Sequence, residues 1–121
     1  MRKYTFPITT DGSGNATVIS SAVLLGELET IAYYPGTIAT GATITVTAEG
    51  DASHTLLVKA SAGTTNTWYH PRELIHNPAD GAALTGTQGG DREEPIVDGY
   101  LKVVVASGGA GGIGSVVVYV E

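Results

Sequence analysis

The sequence predicts an all-β domain, an antiparallel β-sandwich of jelly-roll-like form with about eight short strands. Three observations predict this class. Runs of β-branched residues such as Thr43–Thr47 and Val116–Val120 recur along the chain and favour strands. Turn-forming clusters separate these runs, and the chain contains 17 glycines. Only 15% of the residues are charged, and Lys and Arg together number six, so strong helix formers are scarce.

Alternation of apolar and polar side chains places the individual strands, and Ala42–Glu49 shows it most clearly. One helical turn around Ser21–Leu25 is an open alternative to an extended segment there. The predicted strands are Lys3–Ile8, Ala16–Ser20, Leu28–Tyr34, Ala42–Glu49, His54–Ala60, a short strand at Trp68 and Tyr69, Tyr100–Ala106 and Ser115–Val120.

The connections between these strands give further predictions. The first two strands are expected to form a hairpin around Thr9–Asn15, and the last two a flexible hairpin around the Gly-rich Ser107–Gly114. Asn77–Pro95 has little periodicity, which predicts a long excursion with one candidate strand at Ala83–Thr85. We find no domain boundary, so residues 1–121 are predicted to form one domain.

Charge and cysteine content exclude several function classes. The net charge is −6, and Arg2 and Lys3 are the only adjacent basic residues, so no nucleic-acid partner is expected. Without cysteine the chain has no disulfide and no thiolate metal site, which fits synthesis in the cytoplasm. The apolar stretches are too short for a signal peptide or a membrane span, which predicts a soluble protein with no membrane partner.

The motifs that could carry chemistry are weak. Gly109–Gly114 matches the letters of a dinucleotide-binding loop, but a strand follows it where that motif needs a helix. No Gly-x-Ser-x-Gly elbow supplies a nucleophile. The acid pairs Glu27 with Glu29 and Glu93 with Glu94 raise a glycosidase hypothesis, although solvated charges on strand faces are the favoured interpretation. We therefore predict no catalytic residue and no enzyme.

A metal site is a further hypothesis that the spacing does not favour. Imidazole and carboxylate groups suit zinc or related ions, but no compact ligand motif is present. The side chains considered are those of His54, His70 and His76 with Asp51, Glu73 or Asp80. No metal and no cofactor are predicted.

Aromatic residues stand in two adjacent pairs, Tyr33 with Tyr34 and Trp68 with Tyr69. Neighbouring residues of a strand point to opposite faces, so one ring of each pair should pack inward while the other could face a partner. Rings with polar tips are common at protein interfaces. Core packing and interface contact both remain open for each ring.

Four strings along the chain resemble a group of small head-associated proteins of tailed bacteriophages and prophages, the capsid decoration or cement type. The strings are Gly26–Gly36, Gly41–Thr47, Trp68–Arg72 and Gly99–Gly109 with Gly114–Val116. The resemblance implies a virion protein that is made in the host cytoplasm and added to the outside of an assembled capsid. Its implied partners are the major capsid protein and copies of itself, often as a trimer, and its implied role is to stabilise the shell against packaged DNA.

The expected contact regions are the N-terminal arm Met1–Pro7 and the segment Asn66–Arg72, because termini and edge strands commonly pair with a neighbour. The partner-binding residues predicted in them are Arg2, Tyr4, Phe6, Trp68, Tyr69 and Arg72. The alternative function is a carbohydrate-binding module, with Trp68, Tyr69 and Tyr34 stacking on sugars and loop carboxylates holding a cation. A small β-sandwich hydrolase is a third hypothesis.

Overall fold

The computed structural model describes residues 1–50, 53–74 and 92–121, and these residues form ten strands and no helix. Accordingly, no helix that could cross a membrane occurs in these ranges. The candidate strand Ala83–Thr85 lies outside the described residues. The strands are β1 (Arg2–Thr9), β2 (Ala16–Ile19), β3 (Leu24–Tyr34), β4 (Thr43–Glu49), β5 (Ser53–Lys59), β6 (Thr67–Tyr69), β7 (Glu73–Leu74), β8 (Arg92–Glu93), β9 (Ile96–Ala106) and β10 (Ile113–Val120).

The strands pair in the order of a jelly roll, which confirms the predicted fold class. The first long strand pairs with the last, β1 with β10, and inside that pair come β2 with β9, β3 with β6 and β4 with β5, all antiparallel. This is the pairing of one long hairpin wrapped around itself. The short strands β7 and β8 form a two-stranded sheet of their own. They lie in the connection between β6 and β9, where β7 follows β6 and β8 precedes β9.

Wrapping produces two facing sheets that remain joined. The first sheet has the order β1-β10-β3-β6, and the second has the order β2-β9-β4-β5. The sheets meet where Leu24–Glu27 of β3 pairs with Ile96–Gly99 of β9. The eight longer strands therefore form one continuous antiparallel array folded over on itself.

One core lies between the two sheets. Alternation fills it, as in β4, where Ile44, Val46 and Ala48 are buried between half-buried threonines. Full burial of a Val, Leu or Ile side chain contributes about 1.5–3 kcal/mol, so this layer supplies most of the stabilisation. The largest fully buried side chains are Tyr33, Ile8, Leu28, Ile31, Ile38, Ile44, Leu101, Val46, Val97, Val103, Val105 and Val116.

Two predicted hairpins are wrong, although their strands are present. β1 and β2 lie in different sheets, since β1 pairs with β10 and β2 with β9. β9 and β10 are likewise in different sheets. The physical reason is that β1 and β2 cover the core from opposite sides, and so do β9 and β10. The loop that joins the two strands of each pair therefore crosses from one sheet to the other. The predicted return of the chain from β4 to β5 is confirmed.

The Gly-rich loop between β9 and β10 is bonded to the neighbouring loops at one end of the sandwich. The buried Thr10 hydroxyl donates to the carbonyl of Gly109 at 2.5 Å and accepts the amide of Gly112 at 2.6 Å. The amide of Gly108 donates to the carbonyl of Gly14, and the amide of Ala39 to the carbonyl of Gly108. The loop is therefore a bonded crossover between the sheets.

Gly99 is the point at which β9 leaves its pairing with β3 and enters the second sheet. Its φ of +98° is one that L side chains rarely adopt. A Cβ at this position would lie 2.3 Å from the carbonyl oxygen of Glu49. Glycine is thus required here both for the bend and for the close approach of β4.

Replacement of Gly99 by alanine should destabilise the fold by at least about 2 kcal/mol, because strain at φ and a backbone clash act together. Urea unfolding followed by circular dichroism measures this loss. Gly41→Ala is the matched control, since a Cβ there meets no atom within 4 Å and should change stability little. Equal midpoints for the two variants would contradict the role given to Gly99.

Substitution Thr10→Val should cost about 1–3 kcal/mol, because the isosteric side chain leaves the buried Gly112 amide without its short hydroxyl acceptor. Thr10→Ser retains the hydroxyl and should recover most of the loss. Thermal unfolding of both variants provides the measurement. A Val variant as stable as the Ser variant would show that the hydroxyl does not hold the loop.

Candidate functional site

The N-terminal arm is the edge strand of the first sheet. Its side chains alternate, with Lys3 exposed on the outer face and Tyr4 half-buried against the core. Arg2 is exposed at the start of the strand. Phe6 is only 3% exposed and belongs to the core.

A groove of about 380 Å³ lies between β1 and β2. It is lined by two runs of consecutive residues, Lys3–Pro7 from the first sheet and Val18–Ser21 from the second. Within the described ranges, each of the two strands has a ladder partner on one side only, β10 for β1 and β9 for β2. The groove is thus an open edge of the sandwich, with both sheets contributing one wall.

The aromatic pairs have one ring inside and one outside, as strand alternation predicts. Tyr33 is fully buried, and Tyr69 packs against the core. Tyr34 is half-buried, and Trp68 is 51% exposed. Of the predicted contact residues in this segment, Trp68 presents its ring to solvent and Tyr69 turns inward.

Trp68 and Tyr34 form an aromatic corner on the outer face of the first sheet. Their ring centroids are 5.7 Å apart and their planes are nearly perpendicular, at 89°. His70, two residues further along, is hydrogen-bonded through Nδ1 to the hydroxyl of Thr30 at 3.1 Å. The corner therefore has a polar border next to its rings.

The structure does not bring the two predicted contact regions together. β1 and β6 are the opposite edges of the first sheet, with β10 and β3 between them. Three strand spacings separate them by about 14 Å. Arg2 and Tyr4 consequently belong to one surface, and Trp68 to another.

Arg72 lies in a cluster of carboxyl groups. Its guanidinium donates to the carbonyl of Glu29 at 3.1 Å, and it lies 3.6 Å from the carboxylate of Glu29 and 4.0 Å from that of Glu94. Carboxyl oxygens of Glu27, Glu94 and Glu121 lie within 4.8 Å of one another. The polar contacts of Arg72 are therefore made within the chain. They connect the segment after β6 to Glu29 of β3 and to Glu94, which lies just before β9.

Crowding of these acids changes the titration of Glu94. The hydrogen bond with the Glu29 carboxyl, burial and the negative charges of Glu29 and Glu121 raise the pKa of Glu94 to about 7, and the charge of Arg72 opposes them. The Oε2 atom of Glu94 is buried and makes no hydrogen bond with the residues that the structure describes. Glu94 thus keeps its proton at a pH where an ordinary glutamate has lost it.

The sequence indicated two separate acid pairs, Glu27 with Glu29 and Glu93 with Glu94. Only the fold brings members of the first pair close to Glu94 of the second. Glu29 and Glu94 interact closely enough to raise the pKa of Glu94. No sequence pattern indicated that Glu121 belongs to this cluster. Glu121 joins it because its main chain is hydrogen-bonded to Glu27 of β3. The metal hypothesis for Asp51, His76 and Asp80 falls outside the described residues.

Comparison of the chain with protein-family models, with curated proteins and with solved structures finds no match. Fold and surface together define the class. The protein is a small jelly-roll domain, and its notable exposed features are an open sandwich edge, an aromatic corner and a carboxyl cluster.

Stability should fall as the pH rises from about 4.5 to about 7, because the folded state keeps the Glu94 proton that the unfolded chain releases near 4.5. The expected result is a lower melting temperature at pH 8 than at pH 5. Glu94→Gln should remove most of this difference, since the amide stays neutral. Scanning calorimetry across this range measures both proteins.

Glu49→Gln is the control for this experiment. Hydrogen bonding, chiefly from Ser53, lowers the pKa of Glu49, so its contribution is lost only as the pH falls below the range tested. This variant should keep the difference between pH 5 and pH 8. A Glu94→Gln protein that kept the full difference would contradict the assignment to the carboxyl cluster.

Proposed function

We propose that this protein is a structural component of a tailed-phage particle, which binds the outside of the capsid and stabilises the shell. The observation that carries the proposal is the open β1–β2 edge with its groove. The resemblance of the sequence strings to head decoration proteins supplies the class of partner. The proposed partner is the major capsid protein, and the proposed assembly is a homotrimer on the virion surface.

The shape of the groove favours an extended segment of a capsid subunit. Runs of consecutive residues on both walls make an elongated site, and an edge strand can pair its free main-chain groups with an added strand. Lys3 and Pro7 on β1 are residue types that discourage unselective edge pairing. The edge is therefore suited to one partner and protected against aggregation.

The distribution of charge supports binding of the protein to the outer surface of the shell. Arg2 and Lys3 form the only adjacent basic pair in a chain of net charge −6, and they lie at one end of the groove edge. An acidic capsid segment would be attracted there, while the remainder of the protein would be repelled by DNA. This arrangement favours binding on the outer surface of a shell over contact with packaged nucleic acid.

Stabilisation of the shell needs no chemical step. A protein that binds only the assembled lattice stabilises it by mass action, and a trimer that engages several capsid subunits at once gains avidity from each weak contact. One groove per copy would give three such contacts. The proposed trimer would thus stabilise the shell through three weak contacts with capsid subunits that act together.

The direct test is co-sedimentation with capsids. Shells lacking the protein are mixed with the purified chain, separated on a density gradient and analysed by quantitative mass spectrometry. We expect saturable binding at a stoichiometry in multiples of three and greater resistance of the bound shells to heat. A chain that stays at the top of the gradient at saturating concentration would refute the proposal.

Ile19→Arg should weaken shell binding by about tenfold or more, because it places a charge and a long side chain in the groove. Val58→Arg is the matched control. Ile19 is 56% and Val58 60% exposed, and their strands are the opposite edges of the second sheet. The control should bind as wild type does, and equal losses in both variants would exclude the groove as the contact.

A further inference from the structure

We propose that the aromatic corner of Trp68 and Tyr34 is a binding site for an uncharged pyranose ring of a glycan. This activity goes beyond shell binding and uses a different edge of the protein.

The floor of the site is the indole of Trp68. Ala32 is its cross-strand partner, and Val117 is the partner of Ala32 on the next strand. Both point outward, since their strand neighbours Ile31 and Val116 point into the core, yet Ala32 is 0% and Val117 only 4% exposed. Among the described residues, Trp68 is the large side chain directly opposite Ala32. We infer that the indole lies over this apolar strip and presents its other face to solvent.

The wall of the site is the ring of Tyr34. A perpendicular partner 5.7 Å away gives a corner with two aromatic surfaces. A pyranose has an apolar face of C–H groups and a rim of hydroxyls. Its C–H face can pack on the negatively polarised indole face, while its rim meets the edge of the corner. Aromatic rings are suited to such contacts because they bury a large area and lose little conformational entropy on binding.

The polar border can hold the hydroxyl rim. Trp68 and His70 are two residues apart in one extended segment, so their side chains share the outer face. The hydrogen bond between Thr30 and Nδ1 fixes the imidazole, which directs Nε2 away from Thr30. His70 is exposed, so its Nε2 can meet a sugar hydroxyl beside the indole.

Charge selects the class of sugar. The charged groups described nearest along β6 and β3 are Arg72 and Glu29, and these are paired with each other at 3.6 Å. Because Arg72 is paired with carboxylates, it offers no free positive charge to a phosphate, a sulfate or a sialic acid. The net charge of −6 disfavours a nucleic-acid base as the stacking ligand. An uncharged hexose or N-acetylhexosamine fits best.

Position separates this site from the proposed shell contact. Trp68 lies on β6, three strand spacings or about 14 Å from the β1 edge that carries the groove. Tyr34 lies on β3, two spacings or about 9.5 Å from Pro7 of the groove, with Ser115 of β10 between them. A copy bound through the groove would leave Trp68 free. Failure of either proposal would consequently leave the other standing.

The experiment uses Trp68 itself as the reporter, because it is the one tryptophan of the chain. Methyl glucoside, methyl galactoside, methyl mannoside and chitotriose are each titrated into the full-length protein to about 50 mM, in the weak-binding range. We expect at least one to shift or quench the emission saturably. Saturation-transfer NMR of the same sugars should show contact through ring C–H protons.

Variants then locate the binding by NMR. Trp68→Ala and Tyr34→Ala should each weaken it by about tenfold or more, whereas Trp68→Phe should retain part of it. Tyr100→Ala is the matched control, since Tyr100 is 43% exposed on the second sheet, and it should bind as wild type does. Circular dichroism confirms folding, and Trp68→Ala should still bind shells if the groove is the shell contact.

Two results would overturn the proposal. One is the absence of any spectral change with all four sugars, and the other is equal binding by Trp68→Ala and wild type. A proline-rich peptide that bound the corner when no sugar did would also reject it in favour of a peptide site.

Discussion

Pairing between β3 and β9 is the constraint on which the rest of the structure depends. Each strand serves both halves of the fold, because Leu24–Glu27 pairs with Ile96–Gly99 before the two strands separate into different sheets. Gly99 allows that separation, with a backbone conformation and a contact to Glu49 that a side chain would prevent. The sheets are therefore connected through hydrogen bonds as well as through the core between them.

Wrapping also decides where the surface features lie. The open edge between β1 and β2 exists because the first and second strands lie in opposite sheets, each with one ladder partner. The aromatic corner occupies the far edge of the first sheet at β6. The carboxyl cluster forms at the joint between the sheets, where Glu94 precedes β9 and Glu121 follows β10. The three features thus have separate positions and can act independently.

Local alternation was sufficient to predict most of the strands, and β4 shows why. Its threonines and apolar residues alternate strictly, so its inward face could be read without knowing its neighbours. Alternation missed the segments Leu24–Glu27 and Ile96–Gly99, which pair with each other where the sheets join. The hairpins failed because pairing is not local, and the turn at Asp11–Asn15 looks the same whether it joins paired strands or crosses between sheets. The acid pairs show the same limit, since Glu29 meets Glu94 across 65 positions of the chain.

The sequence by itself determined that the protein is a small all-β domain with low charge, because β-branched alternation and glycine-rich turns act on neighbouring residues. It also predicted that one ring of each aromatic pair packs inward, and left open which ring it is. Only the tertiary structure decided that Trp68 and Tyr34 are the outward rings, that Phe6 and Tyr69 turn inward, and that Arg72 is held among carboxyl groups. The reason is that register and sheet assignment depend on contacts between distant strands, which composition and spacing do not encode.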